Sequence, residues 1–312
     1  MMRLACTANM PREEWLALRR SGIGGSDVSA LVGLNPYKSA FSVWLDKTGR
    51  AKDMPDNEAM RQGRDLEAYV AQRFQEETGL RVRRANYLLA DDTAPYMLAN
   101  VDRLIAGTRA GLECKTMSPR AKAVNNLPEE DVPPAYYCQC QWYMMVTGYP
   151  LWYLAILVYG QGFYVFPIER NEDDIAALRE AAGRFWREHV VADVPPAPDG
   201  SDSAGEAIRG LYPESDDSCC DLTGVTAQDI AQLAALQEAE KQARQQAEAI
   251  RQRILLSLGP HEIGSGGGFR VTAKTQRRRH FDSKRFAAAF PDVDLTPFYK
   301  ESACRPLHIK MF

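Results

Sequence analysis

Two consecutive β-strands are predicted from residues 96–117, which read YMLANVDRLIAGTRAGLECKTM. Apolar residues recur with a period close to two in both halves of this stretch, and a glycine-containing turn separates the halves. Alternate residues of a strand point to the same side of a sheet, so Glu113 and Lys115 share one face of the second strand. Asp102 lies on the first strand, and two adjacent strands can bring all three side chains into one cluster.

A long helix is predicted upstream, at 57–78, because apolar residues recur there at spacings of three and four and Gly79 can end the helix. Glu67 lies in the middle of the apolar stripe of this helix. An unpaired carboxylate is costly to bury, so we expect Glu67 to have a cationic partner.

The carboxylates of Glu67, Asp102 and Glu113 would repel one another unless a cation neutralised them. Ligand sets that contain only oxygen select a hard ion, so Mg²⁺ or Mn²⁺ is the expected metal. A lysine beside such an ion, here Lys115, can orient or help to deprotonate a water molecule, and the metal itself lowers the pKa of that water. A divalent metal ion held by carboxylates beside a lysine suits the hydrolysis of a phosphodiester. An acid and a lysine two residues apart on a strand also commonly form an ordinary solvated face.

The order of predicted elements indicates the fold class. A helix at 134–147 follows the first two strands, and a hairpin of strands at 151–159 and 162–168 comes after it. This succession predicts an α/β core with a mixed central sheet flanked by helices. We assign this core to 1–192. Pro, Asp, Gly and Ser predominate in 193–220 and predict a linker. Residues 221–312 are predicted to form a C-terminal appendage, a long helix followed by a small α/β region.

The composition is that of a soluble globular protein, with 45% hydrophobic and 25% charged residues. No run of about 18 apolar residues occurs and residues 1–10 contain no apolar signal segment, so we expect a cytoplasmic protein without a membrane partner. Seven irregularly spaced cysteines predict neither a disulfide framework nor a zinc site. The net charge of −3 is unusual for a nucleic-acid-binding protein, but bound metal ions would offset part of the negative charge.

A glycine-rich element, GIGGSD at 22–27, precedes a short predicted helix. Its glycines allow the backbone to approach a ligand closely, and the amides at the start of a helix attract phosphate. Arg20 can add a charge-assisted hydrogen bond to such a phosphate. An ordinary helix-capping turn explains the same pattern. Asp27 replaces the third glycine of a dinucleotide-binding fingerprint, so that function is not indicated.

In combination, these motifs resemble the YqaJ-like and lambda-exonuclease-like phage-type exonucleases of the PD-(D/E)XK nuclease superfamily. The resemblance covers about residues 15–190 and lies in ordered blocks rather than in one motif. The blocks are RSGIGGSD at 20–27, LNPY at 34–37, Trp44, GRDLE at 63–67, NVD at 100–102, LECKT at 112–116, QCQ at 139–141 and VTG at 146–148.

The resemblance implies a restriction-endonuclease-like core and a role for each matching residue. Asp102, Glu113 and the backbone carbonyl of Cys114 would hold one metal ion, and Glu67 would help to hold a second. Lys115 would position the attacking water. Gln141, with Gln139 as the less favoured choice, would orient Lys115 or the scissile phosphate. Val101 departs from the proline of the family motif.

The implied activity is that of an exonuclease that degrades one strand of a double-stranded DNA end, 5′ to 3′, for phage-type homologous recombination. Arg20 and Ser26 would hold the 5′-phosphate of that end. A trimeric ring and a single-strand annealing protein as partner are also implied. Two alternatives remain open from the residues, a structure-selective or restriction-type endonuclease on the same fold and a non-catalytic DNA-end-binding scaffold.

Overall fold

The computed structural model describes residues 1–51, 57–129, 132–216, 218–300, 306, 307 and 309. They divide into a first unit, Met1–Tyr212, and a second unit, Pro213–Phe312. The helices of the first unit are α1 (Arg12–Arg20), α2 (Gly25–Leu31), α3 (Ala40–Lys47), α4 (Glu58–Thr78), α5 (Pro134–Thr147), α6 (Glu172–Phe185) and α7 (Asp202–Leu211). Its strands are β1 (Met2–Cys6), β2 (Val82–Arg84), β3 (Tyr87–Ala90), β4 (Leu98–Asn100), β5 (Arg103–Ile105), β6 (Ala110–Met117), β7 (Leu151–Val158) and β8 (Gly162–Glu169).

The central sheet has five strands in the order β2-β5-β6-β7-β8. Only the β6–β7 pair is parallel, and the chain between these two strands contains α5, because a parallel connection needs a long crossover. Helix α4 covers one face of the sheet, where Val70 and Phe74 pack with Leu112. Helix α5 covers the other face, where Trp142 packs with Leu154. The succession α4, β5, β6, α5, β7 confirms the predicted mixed α/β core with a central sheet flanked by helices.

Several helix and hairpin boundaries are confirmed. Helix α4 begins after Asn57, whose side chain accepts a hydrogen bond from the Met60 amide, and it ends at Gly79 with a positive φ of 72°. Helix α5 ends at Gly148 in the same left-handed conformation. Strands β7 and β8 form the predicted antiparallel hairpin.

The single strand predicted at 96–105 is wrong, because the chain changes sheets in its middle. Strand β4 pairs with β3 in a separate three-stranded sheet of order β1-β3-β4, whereas β5 pairs with β2 and β6 in the central sheet. Asp102 lies in the bend between the two strands. The pairing that draws β4 and β5 apart involves distant segments, which local periodicity cannot indicate.

The glycine-rich element is packed tightly against the core. Ile23 donates from its amide to the carbonyl of Tyr96 at 2.7 Å and accepts from the Leu98 amide at 2.8 Å. A Cβ on Gly25 would lie 2.6 Å from the ring of Tyr143, so only glycine lets α2 approach α5 this closely. The element is therefore fixed to the end of β4 and to α5, beside the sheet edge that carries Asp102.

The second unit is built around α8 (Ala227–Leu258), a helix of 32 residues that the sequence predicts. Thr226 and Asp229 form a capping box at its start, with Thr226 Oγ1 accepting from the Asp229 amide at 3.2 Å. Strands β9 (Ile263–Gly266) and β10 (Phe269–Thr272) form a hairpin, and α9 (Ser283–Ala289) follows. No helix in the described part of the chain has the length and apolar character needed to cross a bilayer.

The segment predicted as a linker, 193–220, contains α7, which belongs to the first unit and packs against α3. Ala204 of α7 is buried, and Ser203 donates to Ser39 and Ser42. This apolar contact and the small hydroxyl cluster explain why a stretch with a linker-like composition is helical here. The boundaries 1–192 and 221–312 stay a prediction.

We expect Gly22→Ala to lower the free energy of unfolding of the first unit by about 1–3 kcal/mol. The new Cβ would lie 2.2 Å from the carbonyl oxygen of Tyr96, and this backbone atom cannot move without disturbing the hydrogen bond that it accepts from the Ile23 amide. Urea denaturation followed by tryptophan fluorescence measures this unit, because all five tryptophans lie within Met1–Tyr212.

The matched control is Gly24→Ala, where the nearest atom to the new Cβ is Asp27 Oδ2 at an ordinary 3.6 Å. We expect a loss of no more than about 1 kcal/mol there, from replacing glycine at a helix N-cap. Equal losses in the two variants would contradict the proposed close approach.

Candidate active site

Asp102 lies where the edge of β6 is left open by its neighbour. Strand β5 pairs with β6 only through Leu112 and Gly111, so in the described part of the chain the following residues of β6 have no strand partner on that side. The Asp102 carboxylate takes this place, because its Oδ2 accepts a hydrogen bond from the Cys114 amide at 2.8 Å. The sheet edge thus fixes Asp102 beside the middle of β6.

Glu113 and Lys115 share the face of β6 that α5 covers, as predicted. The Glu113 side chain is buried, and its Oε1 lies 2.6 Å from Lys115 Nζ. The same oxygen accepts a hydrogen bond from Gln139 Nε2 at 2.7 Å. The other oxygen, Oε2, is buried and has no hydrogen-bond partner among the described residues. A buried carboxylate oxygen without a donor is costly, and a bound cation would satisfy it.

Lys115 stays protonated in this environment. Burial alone would lower the pKa of its ammonium group, but the charges of Glu113 and Asp102 and the hydrogen bond to Glu113 raise the pKa above its usual value. Its Nζ also donates to Gln139 Oε1 at 3.0 Å and lies 5.0 Å from the centre of the Tyr136 ring. Lys115 is therefore a fixed positive charge and hydrogen-bond donor.

The electrostatic repulsion within the cluster acts on the pKa of Asp102. Burial, followed by the negative charges of Glu113 and Glu67, holds the pKa of Asp102 well above its usual range, while Lys115 and the Cys114 amide lower it only in part. Negative charge is thus in excess at this position. The oxygen donors of Asp102 and Glu113 fit a hard divalent cation, which would relieve that excess.

Glu67 reaches the cluster from the opposite face of the sheet. Its Oε1 accepts a hydrogen bond from Arg103 Nη1, which supplies the cationic partner that the sequence predicts for it. Arg103 itself was missed, although the demand for a cation near Glu67 could have drawn attention to this arginine beside Asp102. Among the described residues, no three His, Cys, Asp or Glu side chains are arranged to hold a metal ion.

The choice of Gln141 as the site glutamine is wrong, and Gln139 takes that position. Gln139 contacts Glu113, Lys115 and the hydroxyl of Tyr143. Gln141 instead donates to the carbonyl of Glu169 and accepts from the Asn171 amide, and so joins α5 to the start of α6. Residues two apart on a helix point to nearly opposite sides, so only one glutamine can face β6.

The binding of a 5′-phosphate by Arg20 and Ser26 stays a prediction, and the structure shows that Arg19 contacts Ser26. Arg19 Nη2 donates to Ser26 Oγ at 2.9 Å, and its guanidinium lies 4.7 Å from the centre of the Trp15 ring. Arg20 is turned toward Asp46, with a separation of 3.7 Å between Nε and Oδ1. Successive residues of a helix point about 100° apart, so the adjacent Arg19 and Arg20 are directed to different neighbours.

A cavity of about 170 Å³ connects the two groups of residues. Arg19 and Ser26 line one part of it, and Asp102, Glu113 and Gln139 line another. Arg19 and Ser26 therefore share one recess with the two acids, Asp102 and Glu113.

The cysteines near the site are protonated thiols. Burial and, secondarily, the charge of Asp174 raise the pKa of Cys138 to about 11, and burial raises the pKa of Cys140 further. A thiol in this state is a poor metal ligand.

Asp27 fixes the glycine-rich element. It is fully buried, with Lys38 Nζ at 2.5 Å from Oδ1 and Lys47 Nζ at 2.8 Å from Oδ2. Burial alone would raise its pKa, but Lys38, Lys47 and Arg19 hold the pKa well below its usual range. Lys47 also donates to the carbonyl of Arg19 at 3.0 Å, so the ion pair holds the backbone of Arg19 as well.

Comparisons with known proteins show the family of this chain. Residues 14–150 match the YqaJ-like viral recombinase domain. The uncharacterized protein YqaJ of Bacillus subtilis (strain 168) is 36% identical over 294 residues, which are 93% of this chain and 92% of that protein.

Two solved structures are more distant. An alkaline exonuclease from Laribacter hongkongensis has a TM-score of 0.49 and 22% identity, covering 58% of this chain and 94% of that one. A phage-related exonuclease from Haemophilus somnus 129PT has a TM-score of 0.42 and 12% identity, covering 55% of this chain and 96% of that one. The sequence matches, rather than these superpositions, carry the relationship.

We expect Asp27→Asn to lower the free energy of unfolding of the first unit by about 3 kcal/mol or more at neutral pH, because Lys47 would be left buried without its counterion. The folded-state pKa of Asp27 lies below the value of about 3.9 for an unfolded aspartate. Its stabilisation is therefore complete above about pH 4 and declines as the pH falls further toward the folded-state pKa.

Urea denaturation of the wild type and the variant at about pH 7 and about pH 3 measures this, with a smaller difference expected at the lower pH. The exposed Asp65→Asn serves as control and should change stability by less than about 1 kcal/mol. A difference between wild type and Asp27→Asn that is the same at both pH values would refute the assignment.

Proposed function

This chain belongs to the YqaJ-like viral recombinase family, and from that premise we propose that it is a divalent-metal-dependent exonuclease acting on double-stranded DNA ends. The observation that carries the proposal is a recess lined by Asp102, Glu113 and Gln139 together with Arg19 and Ser26. Lys115 contacts Glu113 and Gln139 at this recess. The function would be to expose single-stranded DNA for homologous recombination.

Asp102, Glu113 and the backbone carbonyl of Cys114 would hold the metal ion, Mg²⁺ or Mn²⁺. The unpartnered Oε2 of Glu113 and the raised pKa of Asp102 support this donor set. A bound divalent cation lowers the pKa of water and offsets the charge of a phosphate. Asp102 must be ionised to serve as a ligand, so proton release should accompany binding.

Lys115 and Gln139 would act as a pair. Both contact Oε1 of Glu113, which leaves Oε2 to the metal ion. With its raised pKa, Lys115 is unsuited to take a proton, and we assign it the orientation of the attacking water and the stabilisation of negative charge on the phosphate. Gln139 holds Lys115 and Glu113 at once and so fixes the direction of the ammonium group.

Arg19 and Ser26 would bind the 5′-phosphate of the DNA end. Arg19 already donates to Ser26 Oγ, and the nearby start of α2 offers backbone amides to an anion. A terminal phosphate held there would place an adjoining phosphodiester toward the acids of the same recess, which gives a 5′ to 3′ polarity.

The remaining assignments concern assembly. We propose a ring of three subunits in the cytoplasm and a single-strand annealing protein as partner, with the second unit serving in assembly or partner binding. Its long helix supports this role, because Leu236, Ile250 and Leu256 of α8 are exposed.

We expect Lys115→Ala to slow cleavage of linear double-stranded DNA at least about 100-fold, because a charged donor to the reacting phosphate is lost. DNA binding, followed by fluorescence anisotropy, should stay within a few-fold of the wild type, as should both properties in the exposed control Lys241→Ala. A loss of binding as large as the loss of cleavage would make Lys115 only a phosphate contact or a fold determinant.

The same assay separates the open alternatives. Cleavage of linear DNA that needs Mg²⁺, stops with EDTA and spares covalently closed circles supports the exonuclease. Cutting of closed circles would favour the endonuclease instead. Binding without any cleavage, unchanged by Lys115→Ala or Glu113→Ala, would favour the scaffold.

We expect Arg19→Ala to lower the preference for 5′-phosphorylated over 5′-hydroxyl ends about tenfold, because a charge-assisted hydrogen bond to the phosphate is lost. Initial rates on the two substrates measure this preference. Arg20→Ala is the matched control and should retain it, since Arg20 is directed to Asp46. Equal slowing on both substrates in Arg19→Ala would contradict a role in phosphate recognition.

A further inference from the structure

Arg103 is a buried cation on the α4 face of the site. Its side chain is 7% exposed, and its Nη1 donates both to Glu67 Oε1 and to the carbonyl of Asp102, the latter at 2.8 Å. The guanidinium therefore lies between the backbone of one acidic residue and the side chain of another. A charged group in this position must be accounted for in the electrostatics of the site.

The two cations of the site lie on opposite faces of the sheet. Arg103 is paired with Leu112, which packs under α4, and so points toward Glu67. Glu113 and Lys115 alternate with Leu112 and point toward α5 and Gln139. Asp102 lies at the open strand edge, where its carboxylate accepts from the Cys114 amide and its backbone carbonyl accepts from Arg103. Each face thus has one acid and one cation, and Asp102 is shared.

The charges limit how many metal ions this site can accept. With all three carboxylates ionised, Glu67, Asp102 and Glu113 carry three negative charges against the two positive charges of Lys115 and Arg103. One divalent cation would turn the single remaining negative charge into a single positive one. A second divalent cation would leave three positive charges in a largely buried site, which is unfavourable at low effective dielectric.

We propose that Arg103 replaces a second divalent cation by holding Glu67 as its own counterion, so that the site binds one metal ion per chain. The inference rests on the proposed function and goes beyond it. The family resemblance implies that Glu67 helps to hold a second metal ion, whereas in this chain Glu67 is occupied by Arg103. Arg103 is a positioning residue, which acts through Glu67 and through the charge of the site.

Counting bound Mn²⁺ in the absence of DNA tests the inference without any measurement of activity. Free Mn²⁺ is followed by electron paramagnetic resonance during titration of the full-length chain. We expect one tight Mn²⁺ per wild-type chain and two per Arg103→Met chain, where Glu67 is released. Glu67→Gln added to Arg103→Met should return the number to one. The exposed Arg83→Met is the matched control and should behave as the wild type.

Two tight ions in the wild type, or one in both the wild type and Arg103→Met, would overturn the inference. If Arg103→Met does not fold, Glu67→Gln in the otherwise unchanged chain decides, because the number should stay at one and the affinity within about threefold. A lost ion there would make Glu67 a ligand and reject the role of Arg103. Absence of Mn²⁺ binding in every variant would instead reject the metal-dependent function itself, and this outcome is distinct from a wrong number of ions.

Discussion

Repulsion between the half-buried Asp102 and the buried Glu113, at the open edge of β6, has to be offset by the structure around them. Part of the compensation is internal, from Lys115, Gln139 and the Cys114 amide. It is incomplete, since the pKa of Asp102 stays raised and one oxygen of Glu113 has no partner among the described residues. Such a site favours the binding of a cation, because the cation would neutralise the excess negative charge and would accept the carboxylate oxygens as ligands.

The change of sheet at Val101 and Asp102 creates this edge. If β4 and β5 were one strand, as the sequence predicts, Asp102 would project from a strand face and the amide of Cys114 could pair with a backbone carbonyl. Because β4 leaves to pair with β3, the edge of β6 beyond Leu112 is open, and a side-chain carboxylate occupies it. The same departure brings β4 against Ile23, so it also fixes the glycine-rich element beside the acids.

Much of this arrangement could be predicted from the sequence, and the limits have physical causes. Strand alternation alone places Glu113 and Lys115 on one side, and helix periodicity with a buried acid predicts a cation for Glu67. The same rules do not choose between Gln139 and Gln141, because the buried helix α5 is apolar on every side and gives no facing direction. Likewise Arg19 and Arg20 both precede the glycines, and only the three-dimensional contact with Asp46 separates them.

The active site and the glycine-rich element each contain an ion pair whose cation also binds a backbone carbonyl. Lys47 neutralises Asp27 and also binds the carbonyl of Arg19, so the side chain that reaches Ser26 starts from a fixed point. Arg103 similarly binds both Glu67 and the carbonyl of Asp102, so the acid at the strand edge starts from a fixed backbone too. In both places a buried cation neutralises one acid while it holds the main chain of a residue lining the recess. Such dual contacts explain why these cations are buried despite the cost of desolvation, since each one fixes a position that apolar packing alone would leave adjustable.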